Sequence, residues 1–243
     1  MPINHLTGRV VEGVGNGFGG ILNPGFGTEI IYSFIIIICS LMIYYGTKEL
    51  YELSSYKGIR YFRQAFLFFA LAYFFRSFIK FILIYFNVGM ILEISPRMFG
   101  LIFGQVTLFV FMYLSSMAIF YLLYSVMWKK WEGNSKKIYL FHFIALIVSV
   151  ISISLRNPFV YLGLNIFLLI FVIFIVYIAY KNAKNKKGGN LYVIYLLLLV
   201  FWILNIIDIL LPKFFQTFQL FIYLASSGIF LLILYKVIRK AGN

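Results

Sequence analysis

The stretch FFALAYFFRSFIKFILIYF, residues 68–86, sets a guanidinium and an ammonium, Arg76 and Lys80, four positions apart among strongly apolar neighbours. On a helix that spacing puts both cations on one face. Buried there, they can do two things: pair with a carboxylate or hold an anionic ligand. Within the apolar runs the carboxylate is Asp208, in FWILNIIDILLP, with Asn205 one turn before it. Gln216, Gln219, Tyr223 and Ser226 share a second helical face, and Gln105 and Asn165 are further polar residues inside apolar runs.

Catalysis finds little support among these residues. His5 and His142 are far apart in the chain, and neither makes a metal cluster with Cys39, the single cysteine. Asp208 is the chain's one aspartate, so a paired-aspartate membrane protease is excluded. No nucleophile elbow, phosphate-binding loop or kinase segment is present. The expectation is a protein that is not an enzyme and needs no cofactor.

The elements that must position these groups follow from composition. Apolar residues make up 63% of the 243, charged residues 12%, and mean hydropathy is +0.97, far from the mix of a soluble domain. A helix crossing about 30 Å of hydrocarbon needs about 20 apolar residues. Seven runs meet or approach that length, at about residues 30–47, 64–87, 99–126, 138–155, 159–180, 191–211 and 214–235. They are continuous rather than alternating, which predicts helices and not a barrel. The fold expected is an all-α, seven-transmembrane-helix bundle over residues 30–243, preceded by a glycine-rich extracellular tail at residues 1–29. That tail has no apolar segment like the core of a cleavable signal peptide, so the first run reads as a permanent span.

The basic residues set an orientation. Lys48, Lys57, Arg60 and Arg63 follow the first span; Lys129, Lys130, Lys136 and Lys137 follow the third; Lys181, Lys184, Lys186 and Lys187 follow the fifth; Lys236, Arg239 and Lys240 follow the seventh. The alternate segments hold Arg9, Arg97, Arg156 and Lys213. Fifteen against four predicts the N-terminus outside and the C-terminus inside a multi-pass protein of the plasma membrane. It also explains the net charge of +14 as topology and contact with anionic lipid headgroups, with no nucleic-acid partner. All five prolines fall outside the spans, so the helices should be unbroken.

Depth then groups the polar residues. Counted from Gln64, Arg76 lies about 18 Å into its span and Lys80 about 24 Å. Counted from Leu191, Asp208 lies about 25 Å in, level with Lys80. Two central cations cost about 5–7 kcal/mol, offset by about 4–8 kcal/mol from the fourteen Leu, Ile and Phe of residues 64–87. The span inserts narrowly, and its cations should face inward. Two cations against Asp208 leave one positive charge over, offset if an outer acid, Glu29 or Glu93, folds in or if an anion binds. The expected ligand site is therefore an outer-half pocket of Arg76, Lys80, Asp208, Asn205, Gln219, Tyr223 and Gln105 for an anionic or amphipathic molecule.

The blocks YELSSYKGIRYFRQAFLFFALAYFFRSF and YLASSGIFLLILYKVIRK resemble small archaeal seven-helix membrane proteins without an assigned function, and loosely the seven-helix sensor regions of prokaryotic signalling proteins. The resemblance implies no catalytic residues. NPFVY at 157–161 matches a receptor pattern but sits between the fourth and fifth spans, and the seventh span lacks the central lysine of a retinal protein. The short stretch after Lys236 leaves no room for an effector domain, so a signal would leave through inner loops or a protein partner. The leading expectation is a sensor or ligand-binding membrane protein. A small transporter or channel, and a non-catalytic subunit of a membrane complex, are the alternatives.

Overall fold

The computed structural model describes residues 24–85, 96–131, 136–155, 157–184, 190–210 and 216–241, with side chains for 27–79, 81, 102–131, 137–155, 157–184, 192–210 and 218–239. Eight α-helices run through them: α1 Pro24–Gly46, α2 Lys48–Ser54, α3 Lys57–Tyr85, α4 Pro96–Met127, α5 Lys136–Ser154, α6 Pro158–Lys184, α7 Asn190–Leu210 and α8 Gln216–Ala241. All but the short α2 are long and apolar enough to cross a membrane, which makes this a bundle of seven candidate spans. Their backbones bond within each helix, the arrangement hydrocarbon demands. The first helix starts at Pro24, ahead of the boundary expected at residue 30; the rest of the expected tail, residues 1–23, lies outside the described residues.

Three prolines, Pro24, Pro96 and Pro158, stand at the first position of α1, α4 and α6. There the missing N–H costs nothing and the fixed φ favours the helix. At the other end of α6, Lys181 and Lys184 fall in the last turn, where cations complement the helix dipole. Between α1 and α2, the buried Thr47 turns its hydroxyl back to the Ile43 carbonyl at 2.7 Å. Ser55 closes α2 in the left-handed region, φ 50°, and donates its N–H to the Tyr51 carbonyl at 2.8 Å.

Six of the long helices close a ring in the order α1, α3, α4, α6, α7, α8 and back to α1. The remaining helix, α5, lies outside the ring against α4 and touches α6 only lightly. The α4 span is the most buried of the seven, at 56% of its apolar window, while α5 outside the ring and α6 within it are each buried to 22%. The outward surface is apolar, with Phe143, Ile170, Leu224 and Phe221 each at least 60% exposed, as a lipid-facing surface must be.

Phenylalanines fill the ring's interior. Phe66 and Phe69 of α3, Phe201 of α7 and Phe230 of α8 are each at most 2% exposed. Phe230 lies 6.4 Å from Phe66, 6.2 Å from Phe69 and 4.6 Å from Phe201, centroid to centroid, in edge-on arrangements. Such geometry sets ring edges against ring faces. One end of this column joins Tyr73, 6.4 Å from Phe201, and the other joins Phe62, 4.9 Å from Phe66.

Gly58 shows how tightly α3 is seated on α4. A methyl there would overlap the Tyr56 ring and come within 2.8 Å of Cδ1 and 2.9 Å of Nε1 of Trp128. The Ser125 hydroxyl donates to the Gly58 carbonyl at 2.8 Å, so the backbone cannot move off without breaking a buried bond. Gly58→Ala should therefore destabilise the protein by about 1–3 kcal/mol. Thermal unfolding in detergent, read with tryptophan emission, measures this; an unchanged midpoint would show that the helices shift freely.

Candidate functional site

Two regions of the ring interior carry polar groups, one at each end of the phenylalanine column. At the end remote from the basic segments, Arg76 of α3 meets Glu29 of α1, with Nη2 2.7 Å and Nε 3.1 Å from the same Oε1. Both side chains are mostly buried, at 23% and 18% exposure, and the guanidinium also lies 5.1 Å from the Phe111 ring centre. A delocalised, weakly hydrated cation suits that site between a carboxylate and a π face.

One turn deeper, Tyr73 links three helices. Its hydroxyl donates to Asn205 Oδ1 at 3.2 Å and lies 3.2 Å from the Tyr32 hydroxyl. Tyr32 stacks on Tyr223 at 4.7 Å, and Gln219 Nε2 donates to the Tyr223 hydroxyl at 3.0 Å. On the α6 side, Asn165 Nδ2 donates to the Tyr161 carbonyl, while the Asn165 carbonyl accepts the Trp202 indole N–H at 3.2 Å. Asp208 lies within electrostatic reach of Tyr32, Tyr73, Tyr161 and Tyr223. A polar layer thus joins α1, α3, α6, α7 and α8.

The structure gathers Arg76, Asn205, Asp208, Gln219 and Tyr223 into this layer. Gln105 is half-buried on α4, six residues before Phe111. Lys80 is on α3, and its side chain lies outside the described residues, as does Glu93. The ion-pair partner of Arg76 is Glu29, one of the two outer acids considered, rather than the intraspan Asp208. Of the two ways in which the surplus positive charge could be offset, the Glu29 contact is the first, an outer acid folding in.

Tyr32, Tyr73 and Tyr161 were not foreseen, because tyrosine in an apolar run reads as filler or an interface anchor. A signal existed: Glu29, Tyr32, Ser33 and Ile36 follow one helical face of α1.

The second region is a cavity of about 720 Å³ at the opposite end, where the basic segments converge. It does not coincide with the layer in which a pocket was expected. Its deeper wall is Phe62 of α3, Ser125 of α4, Ala179 of α6 and Tyr195 of α7, all buried. Its rim carries Tyr56, Lys129, Lys130 and Asn182, all exposed. Lys129 stands 5.7 Å from the Tyr56 ring centre and 5.9 Å from that of Trp128. Among the described residues, neither Lys129 nor Lys130 is within ion-pair distance of a carboxylate.

Chemically, the far layer can hold helices in register, since each of its groups would be costly alone in hydrocarbon. The cavity can bind: it offers apolar and aromatic walls, a few hydroxyls and two cations at the entrance, within the size range of small-molecule sites.

Of 145 residues aligned with an uncharacterized protein of Archaeoglobus fulgidus, 35% are identical; the alignment takes in 55% of this chain. The chain spans 57% of that relative's length. No protein-family model matches the sequence. No solved structure matches it either.

Proposed function

We propose that this protein is a non-enzymatic ligand-binding membrane protein of the sensor type, which takes a small anionic or amphipathic molecule into the cavity at its basic end. One observation carries the reading: a cavity of about 720 Å³ with buried aromatic and apolar walls and two lysines at its rim. Desolvated aromatic surface favours the body of a ligand, and the lysines favour an acidic group left near water. The alternation of basic segments supports a cytoplasmic side for this mouth. Occupancy then bears on α3, α4, α6 and α7 together, four helices through which binding reaches the inner loops or a protein partner.

A transporter draws less support. A route across the bundle has to pass the phenylalanine column of Phe66, Phe69, Phe201 and Phe230, and no proline interrupts a described helix to hinge it.

The test is native mass spectrometry of gently solubilised protein, wild type against Ala179→Trp, whose indole intrudes into the cavity from its deeper wall. A small co-purifying mass in the wild type, lost from that variant and kept in Arg76→Met, is the expected result. An adduct retained in Ala179→Trp would place the ligand elsewhere.

A further inference from the structure

The shape of the basic-end cavity selects among amphipathic anions. Its lining runs from Gly58 to Phe62 on α3, from Ser125 on α4 to Lys130 in the 3-10 turn that follows it, and from Ile178 to Ala183 on α6. At 1.5 Å per residue these are axial rises of about 6–8 Å. Lined over little more than one turn on each of these helices, and by six helices in all, the volume of about 720 Å³ is a bowl rather than a narrow channel.

An extended hydrocarbon chain fits such a bowl poorly. Carbon atoms in contact lie about 3.5–4 Å apart, and dispersion fades within an added ångström, so a single chain would touch one wall and leave the rest empty.

Rings fit better. Tyr56 just before α3, Phe62 of α3, and Tyr192 and Tyr195 of α7 all line the bowl, so aromatic surface flanks it from two sides. Phe62 and Tyr195 meet at 6.1 Å and 89°, which leaves their edges and faces to pack against a flat molecule. At about 30 Å³ per water the bowl equals roughly 24 water volumes, and so roughly that many non-hydrogen atoms. Lys129 and Lys130 stand at its rim for one acidic group.

We infer that the occupant is a compact, ring-bearing organic anion of roughly 20–25 non-hydrogen atoms, its ring system between the tyrosine walls and its acidic group at Lys129 and Lys130, rather than a long-chain lipid. This rests on the binding reading above and names its ligand class.

The experiment compares two probes with the same acidic group, pyrene-1-sulfonate and dodecane-1-sulfonate, on the full chain in nanodiscs of zwitterionic lipid, with empty nanodiscs as the baseline. Binding of the pyrene is read by energy transfer from tryptophan, Trp128 being beside the rim residue Tyr56. The expected result is saturable transfer and at least a tenfold weaker competition by the alkyl sulfonate. Lys129→Gln with Lys130→Gln, both at exposed positions, should weaken pyrene binding about tenfold, and Ala179→Leu, which narrows the cavity without adding a tryptophan donor, should weaken it as well. An alkyl probe that competes as well as the ring probe overturns the ligand class and leaves the binding reading standing. Pyrene binding untouched by the lysine changes overturns the placement. No saturable binding of either probe to the wild type removes both.

Discussion

Arg76→Leu alone is expected to lower stability by about 3 kcal/mol, the low end for breaking a mostly buried ion pair. The loss comes less from a missing attraction than from the Glu29 carboxylate losing the guanidinium that faces it, in a site only 18% exposed. Removing the carboxylate as well should recover most of the loss, so that Arg76→Leu with Glu29→Leu sits within about 1 kcal/mol of wild type. Arg76→Leu with Asp208→Leu should be worse than either change alone, the two effects adding within about 0.5 kcal/mol. Chemical or thermal unfolding of the four variants in one detergent measures the coupling. Strong coupling of position 76 to position 208, with none to position 29, would mean that Arg76 pairs inside the spans after all.

Phe230→Ala should produce the second large effect, because the ring touches three other phenylalanines and is 0% exposed. In lipid the transfer part of the usual cost shrinks, since the unfolded helix keeps its side chain in hydrocarbon. What remains is the void. At about 24 cal/mol per Å³, roughly 100 Å³ of unfilled space costs about 2–3 kcal/mol. Phe230→Leu, which fills more of the space, should cost less than half as much. If the alanine variant unfolds at the wild-type midpoint, the column is loosely packed and cannot isolate the basic-end cavity from the far layer. A ligand effect on Arg76→Leu stability would then have a direct route, so the two measurements inform one another.

Much of the fold was legible in the chain. The seven apolar runs became seven long helices with most ends within a few residues of expectation, apart from the earlier starts of α1 at Pro24 and α3 at Lys57 and the later end of α8 at Ala241. The layer of Arg76, Asn205, Asp208, Gln219 and Tyr223 was legible as well, because depth along a helix follows from residue number alone. The Glu29 contact was open in the sequence: the need for an acid was readable, and which acid would reach was not. The cavity could not be read at all. Its lining comes from six helices and consists of ordinary residues, among them Ala179, Ser125 and Phe62.

The sequence by itself determined how many long helices there are and how far along each one its polar groups fall, because hydrocarbon thickness and backbone hydrogen bonding act on each helix separately. Only the tertiary structure decided which faces turn inward. On α6, Leu168, Val172 and Ile175 are at most 4% exposed while Ile170, Ile173 and Phe174 are at least 45% exposed, though both sets are equally apolar. Lipid tails are as apolar as leucine, so hydrophobicity cannot choose between a lipid-facing and a helix-facing side. Packing shape chooses, and it is a property of six helices at once: it closed the ring with α5 outside, brought Glu29 to Arg76 and left the wide space at the basic end.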